Sequence, residues 1–312
     1  MTNKIKIGEK MRTELENYFP CEIRFLFNKL IPDNFFYAIQ EIRLRANKPI
    51  IIKKQNQNFT LTQKAITQNL LSGIIITTKN ISQTLELITN YSPYAFQNQI
   101  QNGFITIKGG HRIGLAGEII FQDNKIITMR NISSINFRIA HEVKDCAQDF
   151  IKYISNPISN TIIIGPPGSG KTTFLRDLTR ILGLNYKISV IDERSEIGAC
   201  YLGIPQNDIG IQTDILDKCP KKIGLNILLK TMSPEIIIID EVSEPCEINA
   251  IINIINSGVK IIFSMHAENL DDIQNSVLTK HLISDKLIDR YFFLNRQNQI
   301  QNIYDKNLER IF

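Results

Sequence analysis

A chain of 312 residues with 43% hydrophobic content can bury a sizeable core and is long enough for about two domains. The net charge of +5 is modest for this length and neither demands nor excludes an anionic partner. Five widely spaced cysteines (Cys21, Cys146, Cys200, Cys219, Cys246), without a C-x-x-C pair, argue against a disulfide framework or a zinc site and fit a reducing cytoplasm. The opening MTNKIKIGEKMRTELENYF is studded with charge and lacks the apolar core of a secretory signal, so the mature protein is expected to begin near Met1. The longest charge-free stretches are interrupted by Thr, Gln, Asn, Ser and Gly and fall short of a bilayer's span, and no repeat of fixed period is evident.

In chain order, the first half mixes helical stretches near 23–30 and 81–91 with short alternating segments at 41–45, 49–53, 104–108, 125–129 and 135–139. This grain predicts an α+β amino-terminal domain over 1–155. Alternation places Glu41, Arg43 and Arg45 on one strand face and Ile42 and Leu44 on the other. A glycine-rich stretch runs from Gly109 to Gly117 around Arg112, and Arg130 and Arg138 flank Ser133-Ser134-Ile135-Asn136. Each of these arginines reads either as a phosphate-contacting cation or as part of a solvated sheet face.

A loop with Asn156, Pro157, Ser159 and Asn160 marks the boundary, and 156–312 reads as a second domain. The apolar strand 162–164 runs directly into Gly165, Pro166, Pro167, Gly168, Ser169, Gly170, Lys171, Thr172 and Thr173. This fits G-x-x-x-x-G-K-[ST], in which loop amides cradle phosphates, the lysine reaches the β and γ groups and the hydroxyl ligates Mg²⁺. Apolar residues Phe174, Leu175, Leu178, Ile181 and Leu182 give helical spacing, and Gly183 stops that helix. Strands are expected at 187–192, 235–240 and 260–266, helices at 223–231 and 247–256, and a closing hairpin at 291–294 and 299–304. The alternation implies an α/β fold, a parallel sheet with helices on both faces and a ligand crevice at the carboxyl ends of the strands.

Three polar groups fall at that edge. Asp240-Glu241 closes a run of four isoleucines, so Asp240 is assigned to the Mg²⁺ shell and Glu241 to the attacking water. Asp192-Glu193-Arg194-Ser195-Glu196 reads either as carboxylates tuning the metal's water network or as a solvated loop. His266 reads either as a γ-phosphate sensor or as a satisfied structural residue.

The segments GPPGSGKTTFLRDLTR, IDERSEIG, TDILDKCPKKIGLNILLKTMSPEIIIIDEVSE and FSMHAEN, with EIRLRANKPI, GFITIKGGHRIGLAGEI and RNISSINFRIA, resemble the stage III sporulation protein AA family of endospore-forming bacteria over nearly the whole chain. That family is related to the ATPases of type II and type IV secretion and pilus retraction. The resemblance implies a RecA-like P-loop NTPase core, ATP and Mg²⁺ as ligands, and a ring, usually a hexamer. Gly165 to Thr172 match the Walker A loop, Asp240-Glu241 the Walker B end, Asp192, Glu193 and Glu196 the acidic box, and His266 the histidine box. Lys171, Glu193, Glu241 and His266 are thereby implied as catalytic residues. The related ATPases commonly carry Thr-x-His, where Ser264-Met265-His266 stands here. The implied role is ATP hydrolysis in the mother-cell cytoplasm, at the membrane through membrane-anchored partners, powering or helping assemble a channel to the forespore. A nucleic-acid translocase and an ATP-gated scaffold with little turnover are the alternatives. No nucleic acid is expected as partner, because the ATPase half has no dense basic run apart from 218–222, which Cys219-Pro220 interrupts.

Overall fold

The structure, a computed structural model, describes residues 12–122, 125–155, 157–296 and 299–312. Most of the charged opening, Asn156 of the expected linker, and Gln297 and Asn298 of the expected hairpin turn lie outside the described residues. Two compact units divide between His141 and Glu142. The stretch 142–155, expected in the amino-terminal domain, belongs to the second unit because Ala147 and Ile154 share an apolar cluster with Phe174 and Leu178. Asp177 accepts the Ala147 amide at 2.8 Å, and Arg180 bonds Asp145 at 2.8 Å, which fastens this stretch to the helix after the phosphate loop.

In the first unit the helices α1 (Cys21–Leu30) and α2 (Thr78–Ile88) accompany strands β1 (Ile39–Arg45), β2 (Lys48–Pro49), β3 (Ile51–Lys54), β4 (Gln57–Leu61), β5 (Ile66–Thr67), β6 (Ile75–Ile76), β7 (Phe104–Thr106), β8 (Arg112–Gln122) and β9 (Lys125–Arg138). Among the described residues, seven of these strands form one sheet in the order β5-β4-β3-β1-β9-β8-β7, and β2 pairs with β6. Thr77 and Asn80 exchange the bonds of a capping box, which fixes the start of α2. Ile42, Leu44, Ile113, Ile135 and Phe137 are buried on one face of the sheet, where Phe19 lies 4.4 Å from the Phe137 ring, centroid to centroid. Alternation therefore turns Arg43, Arg45, Arg112 and Arg138 to the other face, and the register sets Arg138 opposite both Glu41 and Arg112.

Two expected strands, 125–129 and 135–139, form one continuous strand, β9. The alternation breaks at Asn131, whose φ is 49°, and pairing with β8 resumes past a bulge between Ala116 and Glu118. Gly117 sits at this bulge because a Cβ there would lie 2.7 Å from the Arg130 carbonyl oxygen. The glycine-rich stretch is therefore a turn at Gly109-Gly110, with φ of 85° and 74°, followed by β8.

The second unit contains β10 (Thr161–Ile164), β11 (Ile188–Asp192), β12 (Thr213–Asp217), β13 (Ile236–Ile239), β14 (Lys260–Met265), β15 (Arg290–Leu294) and β16 (Ile300–Asp305), with helices α3 (Lys171–Leu182), α4 (Lys221–Thr231) and α5 (Pro245–Asn256). The strand order is β12-β11-β13-β14-β10-β15-β16, with every pairing parallel except β15 with β16. Ile236 and Ile238 pack with Phe174, Leu175 and Leu178 of α3, while Ile237 and Ile239 pack with Leu225 and Leu228 of α4 and Ile248 and Ile251 of α5. Helices thus cover both faces of a mostly parallel sheet. Each fully buried isoleucine contributes about 1.5–3 kcal/mol. Strand β12 carries none of the signals of a buried strand, because TDILD lies at the sheet edge and is mostly half-exposed.

One buried titratable group in the first unit makes its stability pH-dependent. His111 is 2% exposed, its Nδ1 accepts the Ala140 amide at 3.1 Å, and burial, helped by nearby His141 and opposed by Glu14, lowers its pKa to about 4. Above pH 6.5 both folded and unfolded states hold it neutral. As pH falls from 6.5 toward 4 only the unfolded state takes the proton, so stability drops by on the order of 3 kcal/mol across that window. His111→Gln, which keeps an acceptor near Ala140, is expected to remove this slope from urea midpoints measured between pH 7 and 4.5. Identical slopes in wild type and variant would contradict the assignment.

Candidate functional site

The phosphate loop lies between β10 and α3. Gly168 and Gly170 have φ of 75° and 83°, a region open to glycine at little cost. A Cβ on Gly165 would meet Ser169 Oγ at 2.5 Å and the Leu294 carbonyl at 2.8 Å, so that position tolerates no side chain. Lys171 is 4% exposed, and its ammonium donates to the carbonyls of Gly165 at 2.8 Å and Pro166 at 3.0 Å and to His266 Nδ1 at 3.0 Å. Burial lowers its pKa below the usual lysine value, against the pull of Asp240 and Glu241. The loop opens on a polar cavity of about 700 Å³, lined by Pro167, Gly168, Gly170, Lys171, Thr172 and Thr173 and by Arg194, Glu196, Lys221, Glu241, Ser243 and His266.

Across the cavity, β13 ends at Ile239, and Asp240 and Glu241 follow. Thr172 Oγ1 donates to Asp240 Oδ2 at 2.5 Å. Ser264, fully buried on β14, donates to Asp240 Oδ1 and accepts the Glu241 amide at 2.8 Å. Glu241 has φ of 53°, which an L-residue adopts only when its surroundings hold it there. The Ser264 hydroxyl supplies part of that hold. Because an ammonium can only donate, His266 Nδ1 is the acceptor from Lys171 and its proton lies on Nε2, which donates to Glu241 Oε1 at 3.2 Å. Glu241 also pairs with Arg194. A single chain of contacts therefore runs Lys171, His266, Glu241, Arg194.

The acidic cluster divides its labour. Asp192 accepts the amides of Glu196 and Gly198, each at 2.8 Å, and so organises the loop after β11. Burial raises its pKa to about 6, the two amide bonds act against this, and neighbouring Asp217 and Asp240 add to the rise. Ser195, at φ of 56°, donates to Asp217 at 2.6 Å. Glu193 bonds Lys221 at 2.7 Å.

The structure brings Lys171, Thr172, Glu193, Asp240, Glu241 and His266 around one cavity system. It leaves Arg43, Arg45, Arg112, Arg130 and Arg138 on the sheet of the first unit, where Arg43 pairs with Glu41 at 2.6 Å, Arg130 with Glu118 at 3.5 Å, and Arg112 lies 4.4 Å from the Phe104 ring centroid. Spacing alone did not reveal Ser264 as the brace of the Asp240-Glu241 turn, nor Lys221. The only cue for Lys221 is a lysine in the first turn of a helix, where the dipole disfavours it.

The donor set fits a triphosphate with a hard cation. Ser169 Oγ is buried in the loop without a hydrogen-bond partner among the described residues, and the Thr172 hydroxyl and Asp240 carboxylate form a close oxygen pair. A hard cation on this oxygen pair would complete its shell with phosphate and water oxygens, as Mg²⁺ does.

Residues 9–311 match the family described as Sporulation stage III, protein AA. The chain belongs to this family. It is 35% identical over 287 residues to the stage III sporulation protein AA of Bacillus subtilis (strain 168), covering 89% of this chain and 90% of that protein. Among solved structures it is similar to the Legionella pneumophila ATPase DotB, with a TM-score of 0.57 and 13% identity over 88% of this chain and 79% of the other. It is also similar to the pilus retraction motor PilT, with a TM-score of 0.57 and 11% identity over 83% and 74% of the two chains. These likenesses agree with a RecA-like P-loop core. No helix among the described residues of this family member is long and apolar enough to cross a membrane.

Ser264→Ala removes the donor to Asp240 and the acceptor of the Glu241 amide, and is expected to cost about 1–3 kcal/mol in denaturant unfolding. Ser264→Thr, which restores the hydroxyl, should recover most of it. An alanine variant as stable as wild type would mean that the turn is held by other contacts.

Proposed function

We propose that this chain is a Mg²⁺-dependent ATPase acting as a ring, most simply a hexamer, in the mother-cell cytoplasm. Membrane-anchored components would hold it at the membrane, where its turnover powers or assembles a secretion-like channel to the forespore. The observation that carries the ATPase reading is the hydrogen-bonded connection from the phosphate-loop lysine through His266 to Glu241 at the mouth of a polar cavity. Family membership supports the sporulation setting, and the likeness to a pilus retraction motor determined with bound ADP supports the nucleotide.

In this reading the triphosphate lies along Gly165 to Thr172 with the N-terminal end of α3 behind it. Lys171 exchanges the Gly165 and Pro166 carbonyls for phosphate oxygens, regaining in charge what it gives up in hydrogen bonds. A cation held by Thr172 and Asp240 would neutralise charge on the β and γ oxygens. Glu241, fixed in its left-handed turn, orients the attacking water and takes up its proton. Once Lys171 turns to phosphate, His266 Nδ1 loses its donor, so the imidazole is placed to report the γ-phosphate to Glu241. Glu193, paired with Lys221, flanks the same end of the cavity. Of the basic run 218–222, Lys221 turns into this site and Lys218 faces Asp217, which weakens the case for a nucleic-acid track.

Lys171→Ala is expected to abolish ATP binding with thermal unfolding little changed. Glu241→Gln should bind ATP and turn it over at least about a hundredfold more slowly. Phosphate release by the glutamine variant at the wild-type rate would remove Glu241 from the proposed role.

A further inference from the structure

Lys221 is a buried cation that the hydrolytic scheme leaves unused. It opens α4, is 8% exposed, and its ammonium reaches Glu193 Oε2 at 2.7 Å and Glu247 Oε1 at 3.1 Å. Burial works against its charge, yet the bonds to these two carboxylates outweigh burial and hold it above the usual lysine value. Glu247 is itself committed, since its other oxygen accepts the amides of Ser243 at 2.8 Å and Glu244 at 3.1 Å and so caps α5. Lys221 therefore ties the end of β11 to the loop that follows Glu241. It lines the main cavity with Lys171 and Thr172, and the small recess formed with Asp192, Glu193, Asp240 and Glu241.

That recess lies at the Asp240-Glu241 end of the site, where the terminal phosphate of a nucleotide anchored on Lys171 would point. Its wall otherwise carries Asp192, Asp240 and Glu241, with Arg194 already paired to Glu241, and without Lys221 the Glu193 carboxylate would face a polyanion with its partner gone. The one additional charge that separates ATP from ADP enters at this end.

We infer that Lys221 is a specificity-determining residue that lets the site prefer a nucleoside triphosphate over a diphosphate, by cancelling the Glu193 charge beside the terminal phosphate. The inference rests on the reading of the cavity as an ATP site. Because the effect is one of charge, it depends on Glu193 as much as on Lys221.

The test is calorimetric binding of the Mg²⁺ complexes of a β,γ-methylene ATP analogue and of ADP to the full chain. Wild type is expected to bind both, and Lys221→Met to lose about fivefold or more in the analogue's affinity with less than about twofold for ADP. The double variant Lys221→Met/Glu193→Gln should recover most of the triphosphate affinity, which a merely structural lysine would not allow. Glu193→Gln alone, which keeps the buried lysine and removes the risk of misfolding, should shift the preference further toward the triphosphate. Equal losses for both nucleotides, or an unchanged ratio in Glu193→Gln, would overturn the role of Lys221 while leaving the ATP site standing. Absence of binding of either nucleotide to wild type would instead overturn the ATP reading, and this inference with it.

Discussion

Strand β13 consists of four isoleucines, all fully buried, and it constrains everything around it. A strand with apolar side chains on both faces must be covered on both, which forces α3 to one side and α4 and α5 to the other. With the faces committed to packing, polar groups can meet solvent only where strands end. The carboxyl ends of β10, β11, β13 and β14 lie side by side in the parallel sheet, so the long-range pairing of these strands brings Gly165, Asp192, Asp240 and His266 together.

At that edge the chemistry depends on balanced charge. Asp192, Glu193, Glu196, Asp217, Asp240, Glu241 and Glu247 gather near Lys171, Arg176, Arg194 and Lys221, and most members of the group are paired or accept backbone amides. Lys171 rests on carbonyls and on His266, and Glu241 is shared between His266 and Arg194. The carbonyls on Lys171 are acceptors of the kind a phosphate oxygen could replace, and the partners of Glu241 are donors of the kind a water could replace. Ser264 and Asp192 differ: their bonds run to the backbone or to the half-buried Asp240, and they brace the frame of the site.

Much of this was legible in the sequence because it is local. The loop Gly165 to Thr172, the helix after it, the four-isoleucine strand and the acids at strand ends are contiguous patterns, and the structure matches them within a residue or two. What escaped depends on partners distant in sequence. Lys221 has meaning only against Glu193 and Glu247, and Ser264 only against the Asp240-Glu241 turn. Strand β12 is held by pairing with β11 and not by an apolar pattern of its own. In the first unit, a left-handed Asn131 and the bulge at Gly117 hid one long strand as two short ones. Segment 142–155 is expected in the amino-terminal domain, and its packing through Ala147 and Ile154 and its anchorage to Asp177 and Arg180 place it in the second unit.

The proposed function makes the cavity between Gly168, Lys171, Glu241 and His266 a hydrolytic ATP site. Its most direct test is phosphate release from ATP by the purified wild-type chain, measured with and without Mg²⁺ beside equilibrium binding of ATP. Saturable release that requires Mg²⁺, with ATP bound at one site per chain, is the expected result. A chain that binds no ATP at millimolar concentration with Mg²⁺ present, or binds it and releases no phosphate, would contradict it.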